Sequence, residues 1–233
     1  MKNSQWFSVD KSGLGRQAEE QGKARLVAKL IQNGLDEPSV TRIDVTLALV
    51  PDAGVADFSV EDDAPEGFRD LSHAWTLFAP SAKRDNPVLR GRFNIGEKLV
   101  LSVCDRASIT TTKGKVVFDP EEGRIEVPDE KRERGSVFRG HIRMTQQEYT
   151  DVCDYLRSLL LPYSIAVTFN GQPILPRKPI HTFTASLETV LADDKGVLRP
   201  TVRKTEIGVF EVLPGETASL YELGLPVVAS GDK

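Results

Sequence analysis

The sequence predicts an α/β sandwich of the α+β class, followed by a smaller strand-rich α+β unit. Apolar residues at helical spacing between residues 26 and 35 indicate an amphipathic helix. Residues 43–49 alternate apolar with other side chains, the pattern of a strand with one buried face. Several short strand-like segments follow between residues 107 and 144, separated by glycine, proline and charged turns. This order of elements is typical of a sheet covered by helices.

Composition excludes several classes of protein. The chain has 233 residues, of which 39% are hydrophobic and 27% charged, the profile of a globular protein with a real core. No apolar run approaches the roughly 20 residues that span a bilayer, and the first residues lack a secretory signal, so we expect no membrane contact. A net charge of -4 gives no support for direct nucleic-acid binding by this chain. Two cysteines without CxxC spacing favour a reducing, cytoplasmic location.

The predicted elements begin after an irregular lead-in of 15 residues. A helix is expected over about residues 16–35 and is ended by Pro38. Two strands follow, joined by the turn PDAGVA. The next stretch, residues 66–95, is rich in Gly, Pro, Ser, Lys and Arg, with only LSHAWTLF as a possible helical turn. A loop of this length in a compact domain is usually functional or disordered.

A buried helix is expected from Gly96, because the chain becomes apolar there, in EKLVLSVCD. Strand-like segments come next, in ASITTTKG, KVVFD, GRIEVP and SVFRGHIRM. EYTDVCDYLRSLLLP predicts an amphipathic helix, and SIAVTFNGQPI, KTEIGVFEVLPG and SLYELGLPVVAS predict strands and hairpins. We divide the chain into domains 1–145 and 146–233. Because the chain ends just after a strand-like stretch, we expect it to be a fragment of a longer protein.

Three short segments place polar groups beside predicted helix or strand ends. In KLIQNGLDEP, Asn33 and Asp36 share a helix face, and an amide among apolar residues needs a partner such as a ligand or metal ion. In VEDDAPEGF, Asp63 can accept a hydrogen bond from an exocyclic amine, while Gly67 lets a flat ring approach the backbone. In GRFNIGEK, a glycine-flanked turn opens a helix whose free N–H groups can bind anions, and Lys98 adds a point charge.

Each segment also has an ordinary structural interpretation. The first fits the C-terminal cap of a helix, where Asn and Gly are common. The second fits an acidic surface turn. The third fits a simple loop-to-helix junction. Taken one at a time, the segments therefore leave structure and function both open.

In their order, the segments resemble the boxes of the GHKL ATPase superfamily, which includes DNA gyrase B, the ninety-kilodalton heat-shock chaperones, MutL-type repair proteins, MORC proteins and histidine kinases. The family's N-box carries Glu, then Asn four residues on, then Asp three further, and Asn33 and Asp36 match the last two. The next boxes are Asp-x-Gly-x-Gly, Gly-x-Phe-Gly-x-Gly, and a Gly-Thr that opens a late strand. The residues at their fixed positions are Asp63, Pro65 and Gly67, then Gly91, Phe93, Asn94 and Gly96, then Gly135 and Ser136.

The resemblance covers about residues 15–145 and implies the Bergerat fold, a mixed, mostly antiparallel sheet with helices on one face that binds ATP and Mg²⁺. It implies that Asn33, in a box with Asp36, ligates Mg²⁺ and that residues 70–95 form a lid. Asp63 would bind the adenine amine with Ser136 beside it. The residues expected to surround the base and the phosphates are Gly67, Gly91, Phe93, Asn94, Ile95, Gly96 and Lys98.

Pro65 and Asn94 stand where the family boxes have glycine, and a further departure from the family pattern is more serious. Four residues before Asn33 stands Lys29, where hydrolysing members carry the glutamate that activates water. A protonated lysine cannot act as a base, and loss of a general base typically costs about 10²–10⁴-fold in rate. Lys29 is one helical turn from Asn33 and can reach a γ-phosphate. Any base must then come from elsewhere, and Glu37 and Glu97 are nearby carboxylates in the sequence.

Three classes of function follow from the resemblance. The first is a Mg-ATP-driven conformational switch with slow or uncertain hydrolysis, which dimerises or engages a protein partner. The second is a nucleotide-sensing pseudo-ATPase, or an interaction module, without turnover. The third, a kinase, is disfavoured because neither His73 nor His141 lies in a phospho-acceptor helix. The three histidines also lack metal-ligand spacing, so no histidine metal site is expected.

Overall fold

The computed structural model describes residues 9–50, 52–68, 70–79, 94–192 and 197–229. The chain divides into unit 1, Met1–Leu175 with Leu223–Leu225, and unit 2, Pro176–Glu222 with Pro226–Lys233. The boundary predicted after residue 145 falls inside unit 1. No helix within the described ranges is long and apolar enough to cross a membrane.

Unit 1 contains four α-helices in its described part, namely α1 (Lys11–Glu19), α2 (Lys23–Leu35), α3 (Gly96–Val103) and α4 (Gln146–Arg157), and a short 3-10 helix at Leu71–Ala74. The expectation of an irregular lead-in and one helix over residues 16–35 was wrong. Asp10 starts α1 early, because its carboxylate accepts hydrogen bonds from the N–H groups of Ser12 and Gly13. Gly22, with φ of 79°, then separates α1 from α2. The predicted helices at α3 and α4 are confirmed.

Eight strands of unit 1 form one sheet: β1 (Arg42–Val50), β2 (Val55–Asp62), β3 (Cys104–Thr111), β4 (Gly114–Asp119), β5 (Gly123–Val127), β6 (Val137–Arg143), β7 (Ala166–Phe169) and β8 (Gln172–Ile174). Their order in the sheet is β5-β4-β3-β6-β2-β1-β7-β8. All neighbours are antiparallel except β1 and β7, which are parallel. The predicted fold class, a mixed and mostly antiparallel sheet with helices, is confirmed.

The core lies between the helices and one face of this sheet. Leu26 and Ile31 of α2 are fully buried and belong to one apolar cluster with Ile43 and Leu47 of β1. The opposite face of the sheet is polar. There Arg139 of β6 is paired across the strands with a serine on each side, one from β2 and one from β3. The site described below lies on the helix-covered face.

Unit 2 consists of strands in its described part. β9 (His181–Ala192) and β10 (Leu198–Val209) form an antiparallel pair, and β11 (Ser219–Glu222) pairs with β12 (Leu225–Ala229). The predicted elements did not include β9. Its sequence HTFTASLETVLA alternates threonine and other polar residues with apolar ones, a pattern that suits a strand.

Candidate functional site

A cavity of about 50 Å³ lies on the helix-covered face of the unit 1 sheet. Its walls come from α2, the start of α3 and the strands β2, β3 and β6. The apolar lining residues are Leu30, Val60, Phe68, Ile109 and Phe138. The polar ones are Asn33, Glu37, Asp62, Glu97 and Ser136. A cavity lined by apolar side chains together with carboxylates and an amide is suited to an amphiphilic ligand.

One end of the cavity, which we call the strand end, is built where β2 ends and β6 begins. The Asp62 N–H donates to the Ser136 carbonyl over 2.9 Å, and the Gly135 N–H donates to the Ala64 carbonyl over 2.8 Å. Gly135 has φ of 71°, and a Cβ there would lie 1.9 Å from the Asp62 carbonyl oxygen. Only glycine permits this approach, which brings Ser136 beside Asp62.

Asp62 has an unusual electrostatic environment. Burial raises the pKa of its carboxyl to about 6, and the charge of Glu37 acts in the same direction. A hydrogen bond from the Ala64 N–H, at 3.0 Å to Oδ1, partly opposes this shift. The carboxyl therefore changes its charge within the physiological range of pH, as functional groups in clefts often do.

Asp63, the residue proposed from the sequence to bind adenine, points away from this cavity. Its Oδ1 accepts from the N–H groups of Thr41 at 2.7 Å and Arg42 at 3.0 Å, and its Oδ2 lies 3.2 Å from Arg134. Desolvation disfavours the charged form, but these hydrogen bonds and the Arg134 charge outweigh it and lower the pKa of Asp63. Asp63 therefore joins the start of β1 to the end of β2, and Asp62, the residue before it, lines the cavity.

Gly67 also has a different role from the one predicted. It is buried with φ of 57°, and a Cβ there would lie 2.9 Å from Thr112 Oγ1 and 3.1 Å from the Gly135 carbonyl oxygen. The glycine thus permits a tight turn against Thr112, just after β3, and the Gly135 backbone, and it does not line the cavity. The next residue, Phe68, supplies the cavity wall.

The other end of the cavity, which we call the helix end, lies between α2 and the start of α3. Asn33 lines the cavity, and its Nδ2 atom is buried. A Cβ built on Gly96 would lie 3.5 Å from the Lys29 Cβ and 3.6 Å from Asn33 Nδ2. The structure therefore brings Lys29, Asn33 and Gly96 together, as the sequence predicted. Burial, followed by the charge of Arg25, lowers the pKa of Lys29.

The start of α3 presents backbone donors at this end. Ile95 occupies the N-cap position and has no side chain able to cap the helix. Among hydrogen bonds between described residues, the first from an N–H group of α3 is that of Lys98, which donates to the Ile95 carbonyl over 3.1 Å. Asn94 has φ of 48°, a conformation that glycine and asparagine adopt most readily. Glu97, in the first turn, lines the cavity.

Lys98, predicted to assist phosphate binding, is directed elsewhere. Its ammonium group is buried, donates to the His73 carbonyl and to Asn94 Oδ1 at 2.7 Å, and lies 3.7 Å from Glu97. Asn94 Nδ2 in turn donates to the Ala79 carbonyl over 3.5 Å. Burial lowers the pKa of Lys98, and the Glu97 charge opposes that shift. Lys98 therefore anchors the chain before and after residues 80–93.

The remaining predicted residues lie outside the cavity or outside the described ranges. Asp36 is buried at the C-terminal end of α2, where its N–H donates to the Gln32 carbonyl over 3.1 Å, and it does not line the cavity. Gly91 and Phe93 lie outside the described residues, as does most of the predicted lid.

Asp62 and Phe68 were missed, although the sequence held a signal for Asp62. Ala56, Phe58 and Val60 all face the core, so the strand period of two places Asp62 on the covered face and Asp63 off it. The alignment of Asp63 with a family box overrode this simpler argument. Phe68 follows the turn and had no comparable periodic signal.

At the helix end, the Asn33 side chain carries an amide oxygen that could ligate Mg²⁺. Among residues 9–50, 52–68, 70–79, 94–192 and 197–229, no three His, Cys, Asp or Glu side chains form a metal-binding group. Mg²⁺ commonly takes only one or two ligands from the protein and the rest from phosphates and water. A single amide oxygen from Asn33 fits that mode of binding.

Comparison with known proteins gives a likeness of fold. The ATPase region of Saccharomyces cerevisiae topoisomerase II is similar with a TM-score of 0.48 and 14% identity, over 65% of this chain and 48% of that one. The N-terminal domain of a DNA repair protein gives 0.44 and 12%, over 83% and 57%. This chain thus spans about half the length of these structures. No family model and no curated protein matches it.

Proposed function

We propose that unit 1 binds Mg-ATP in this cavity and acts as a nucleotide-driven conformational switch. The observation that carries the proposal is the convergence of Asn33, Asp62 and Ser136 on one apolar cavity beside the uncapped start of α3. These residues come from three distant parts of the chain. If these segments were only an acidic turn and a helix cap, their side chains would not be expected to line the same cavity.

The strand end suits a purine base. The Asp62 carboxylate can accept a hydrogen bond from the exocyclic amine of adenine, and the Ser136 hydroxyl can donate to a ring nitrogen. Val60, Ile109 and Phe138 offer apolar surface to the faces of the ring. A buried carboxylate that selects an amine donor discriminates against bases that present a carbonyl there.

The helix end suits the phosphates. The uncapped N–H groups at the start of α3 can bind an anion, and the helix dipole favours negative charge there. Asn33 would hold the Mg²⁺, which neutralises phosphate charge when bound. Lys29 adds a cation beside Asn33, in place of a family glutamate. We assign Lys29 to the terminal phosphate.

Because the cavity is small, ATP can bind only if the site changes its conformation. Ligand pockets typically measure about 300–1,000 Å³, whereas this cavity measures about 50 Å³. Bound ATP therefore requires a wider form of the site, and the ligand stabilises that form over the closed one. Such a population shift is the physical basis of a switch that signals to a protein partner or a second copy.

The adjacent carboxylates provide a matched test of binding. Asp62→Asn removes the negative charge and replaces one of the two acceptor oxygens with an N–H donor, so we expect Mg-ATP affinity by calorimetry to fall about 10–100-fold. Asp63→Asn, one residue away, should leave the dissociation constant within about threefold. Equal losses in both variants would contradict the proposed site, and so would wild-type protein that does not bind ATP.

A nucleotide sensor without turnover is the second candidate, and the lysine at position 29 favours it. Its test is a single-turnover assay with excess protein, Mg²⁺ and trace γ-labelled ATP, in which bound and cleaved label are followed together. Label that stays bound but uncleaved would support the sensor. In that case Lys29→Glu should raise cleavage at least about 100-fold, because it supplies a base.

A further inference from the structure

The face of the unit 1 sheet opposite the helices has a pocket of its own, with a volume of about 490 Å³. Pockets that bind small molecules typically measure about 300–1,000 Å³. Five neighbouring strands line this pocket, in the order β4-β3-β6-β2-β1. No described residue lines both this pocket and the cavity beside Asn33. The pocket is therefore separate from the proposed Mg-ATP site.

Arg139 lies on β6, the middle one of these five strands, with a hydroxyl on each side. Its register partners are Ser59 of β2 and Ser108 of β3. Side chains directly opposite each other on neighbouring strands have Cβ atoms about 4.5–5.5 Å apart. Thr46 of β1 extends the row, because its hydroxyl oxygen lies 2.7 Å from that of Ser59. The row thus places a guanidinium group between hydroxyl groups that can also donate hydrogen bonds.

Two of the other charged groups in the pocket are compensated by ion pairs. Asp57 Oδ1 lies 2.7 Å from His141 Nδ1, and both residues line the pocket. Lys115 Nζ lies 2.6 Å from the carboxylate of Glu130. These pairs fix their charges within the protein, so neither needs a ligand.

Arg106 and Asp119, at one side of the pocket, also act on each other. Hydrogen bonds from the N–H groups of Glu122 and Glu121 lower the pKa of Asp119, and the charge of Arg106 acts in the same direction. Arg139, by contrast, is exposed and forms no hydrogen bond or ion pair with any residue in the described parts of the chain. Its charge is therefore open to an anion.

We propose that this pocket binds a small molecule with a single phosphate group, and that Arg139 is its anchor. The planar fork of a guanidinium donates two parallel hydrogen bonds to two oxygens of a phosphate. A phosphate monoester carries more negative charge than a carboxylate and has a third terminal oxygen to accept from Ser59 or Ser108. Ala48 and Val117, on the outer two strands, offer apolar surface to the organic part of the ligand.

The acidic residues of the pocket favour a ligand with one phosphate over a nucleic acid. Asp57 and Asp119 line the same pocket and would repel further phosphates. Proteins bind a nucleic-acid backbone by neutralising several phosphates together. Here Arg106 and Lys115 are matched by acidic residues, and the net charge of the chain is -4. The charge of this face thus complements a single anionic group.

The experiment locates bound phosphate by NMR on the isotopically labelled full chain. Inorganic phosphate, glycerol phosphate and acetate are titrated at constant ionic strength. The amide signals of Ser59, Ser108 and Arg139 should shift and saturate with both phosphates. Glycerol phosphate should bind more tightly than inorganic phosphate, and inorganic phosphate at least about tenfold more tightly than acetate. Acetate that bound as tightly as phosphate would overturn the assigned ligand class.

Two arginines of β6 provide a matched pair of variants. Arg139→Met should weaken the binding of glycerol phosphate at least about tenfold, because it removes the anchor. Arg143→Met is the control and should change affinity less than about threefold. Arg143 lies on the same face of β6, outside the pocket and 3.9 Å from Asp105. If Arg139→Met fails to fold in thermal melting, Arg139→Lys, which keeps the charge without the fork, should bind with intermediate affinity.

The outcomes separate this inference from the proposed function. Shifts confined to the start of α3, around Gly96, would place the phosphate at the proposed Mg-ATP site and overturn the second site. Equal losses in Arg139→Met and Arg143→Met, or wild-type protein that does not bind phosphate, would also overturn it. A single-stranded DNA oligonucleotide that bound this face more tightly than glycerol phosphate would replace the small molecule with a nucleic acid. Failure of the Mg-ATP site in its own test would leave this result unchanged.

Discussion

The strand end and the helix end of the cavity are built by different means. At the strand end, Asp62 and Ser136 are held by backbone hydrogen bonds and by a glycine that admits no side chain. At the helix end, Lys29 and Glu97 project as side chains from two facing helices. Backbone geometry permits few substitutions, whereas side chains on helix surfaces can be exchanged. The helix end should therefore tolerate substitution better than the strand end.

The largest expected effect comes from a substitution that disrupts the strand end of the cavity. Gly135→Ala places a Cβ 1.9 Å from the Asp62 carbonyl oxygen at a positive φ, so the ends of β2 and β6 must separate. We expect a loss of at least about 3 kcal/mol in the free energy of unfolding, measured by urea denaturation. Gly123→Ala is the control, because it has φ of 78° but nothing within 4 Å, and should cost only about 1 kcal/mol.

The second prediction concerns the charge at the strand end. Folding raises the pKa of Asp62 from 3.8 to about 6, so the folded state binds more protons in that window and wild-type stability falls as the pH rises through it. Asp62→Asn removes the charge. We expect the variant to be about 2–3 kcal/mol more stable than wild type at pH 8 and equal to it at pH 3.5. A difference independent of pH would contradict the assigned cause.

The third prediction concerns the helix end of the cavity and the role assigned to Lys29. Lys29→Met should weaken ATP binding about tenfold and leave ADP binding unchanged, because the lysine is assigned to the terminal phosphate. Titration of each nucleotide measures the ratio of affinities. Arg25→Met, one helical turn earlier on the exposed surface of α2, should change neither. Equal losses for ATP and ADP would place Lys29 nearer the base.

The smallest expected effect separates the two neighbouring aspartates. Asp63→Asn should cost about 1–2 kcal/mol of stability, because it weakens the charged hydrogen bonds to Thr41 and Arg42. A double-mutant cycle with Thr41→Val should give a coupling energy of about 0.5–1.5 kcal/mol in urea denaturation. Additive losses would mean that the two side chains do not act together.

Much of the fold could be predicted from periodicity. The strands that alternate most clearly, and the apolar helix after Gly96, were placed within one or two residues, because burial on one face leaves a strong pattern. The start of α1 and the strand β9 were missed. Their signals are a single capping aspartate and alternating threonines, which are weaker than apolar spacing.

The site could be predicted less well, because the direction in which each side chain points decides whether it lines the cavity. Asn33 and Ser136 line the cavity, and Gly96 lies beside Asn33, since each is fixed to an element whose position follows from the fold. Asp63 was chosen over Asp62 by motif alignment, although strand parity favoured Asp62. Lys98 was predicted to assist phosphate binding, and nothing in the sequence indicated that its ammonium group would be buried against His73 and Asn94.

The parallel pairing of β1 with β7 means that the sheet can be completed only late in the synthesis of the chain. Asp44 on β1 receives a hydrogen bond from Thr168 on β7, 124 residues later in the chain. A ribosome must therefore release residues up to β8 before the sheet is complete. Contacts so distant in sequence slow folding, and the unfinished edge of β1 remains exposed during synthesis. A chain cut after residue 145 would keep every polar residue of the cavity and still lack the strand that closes β1.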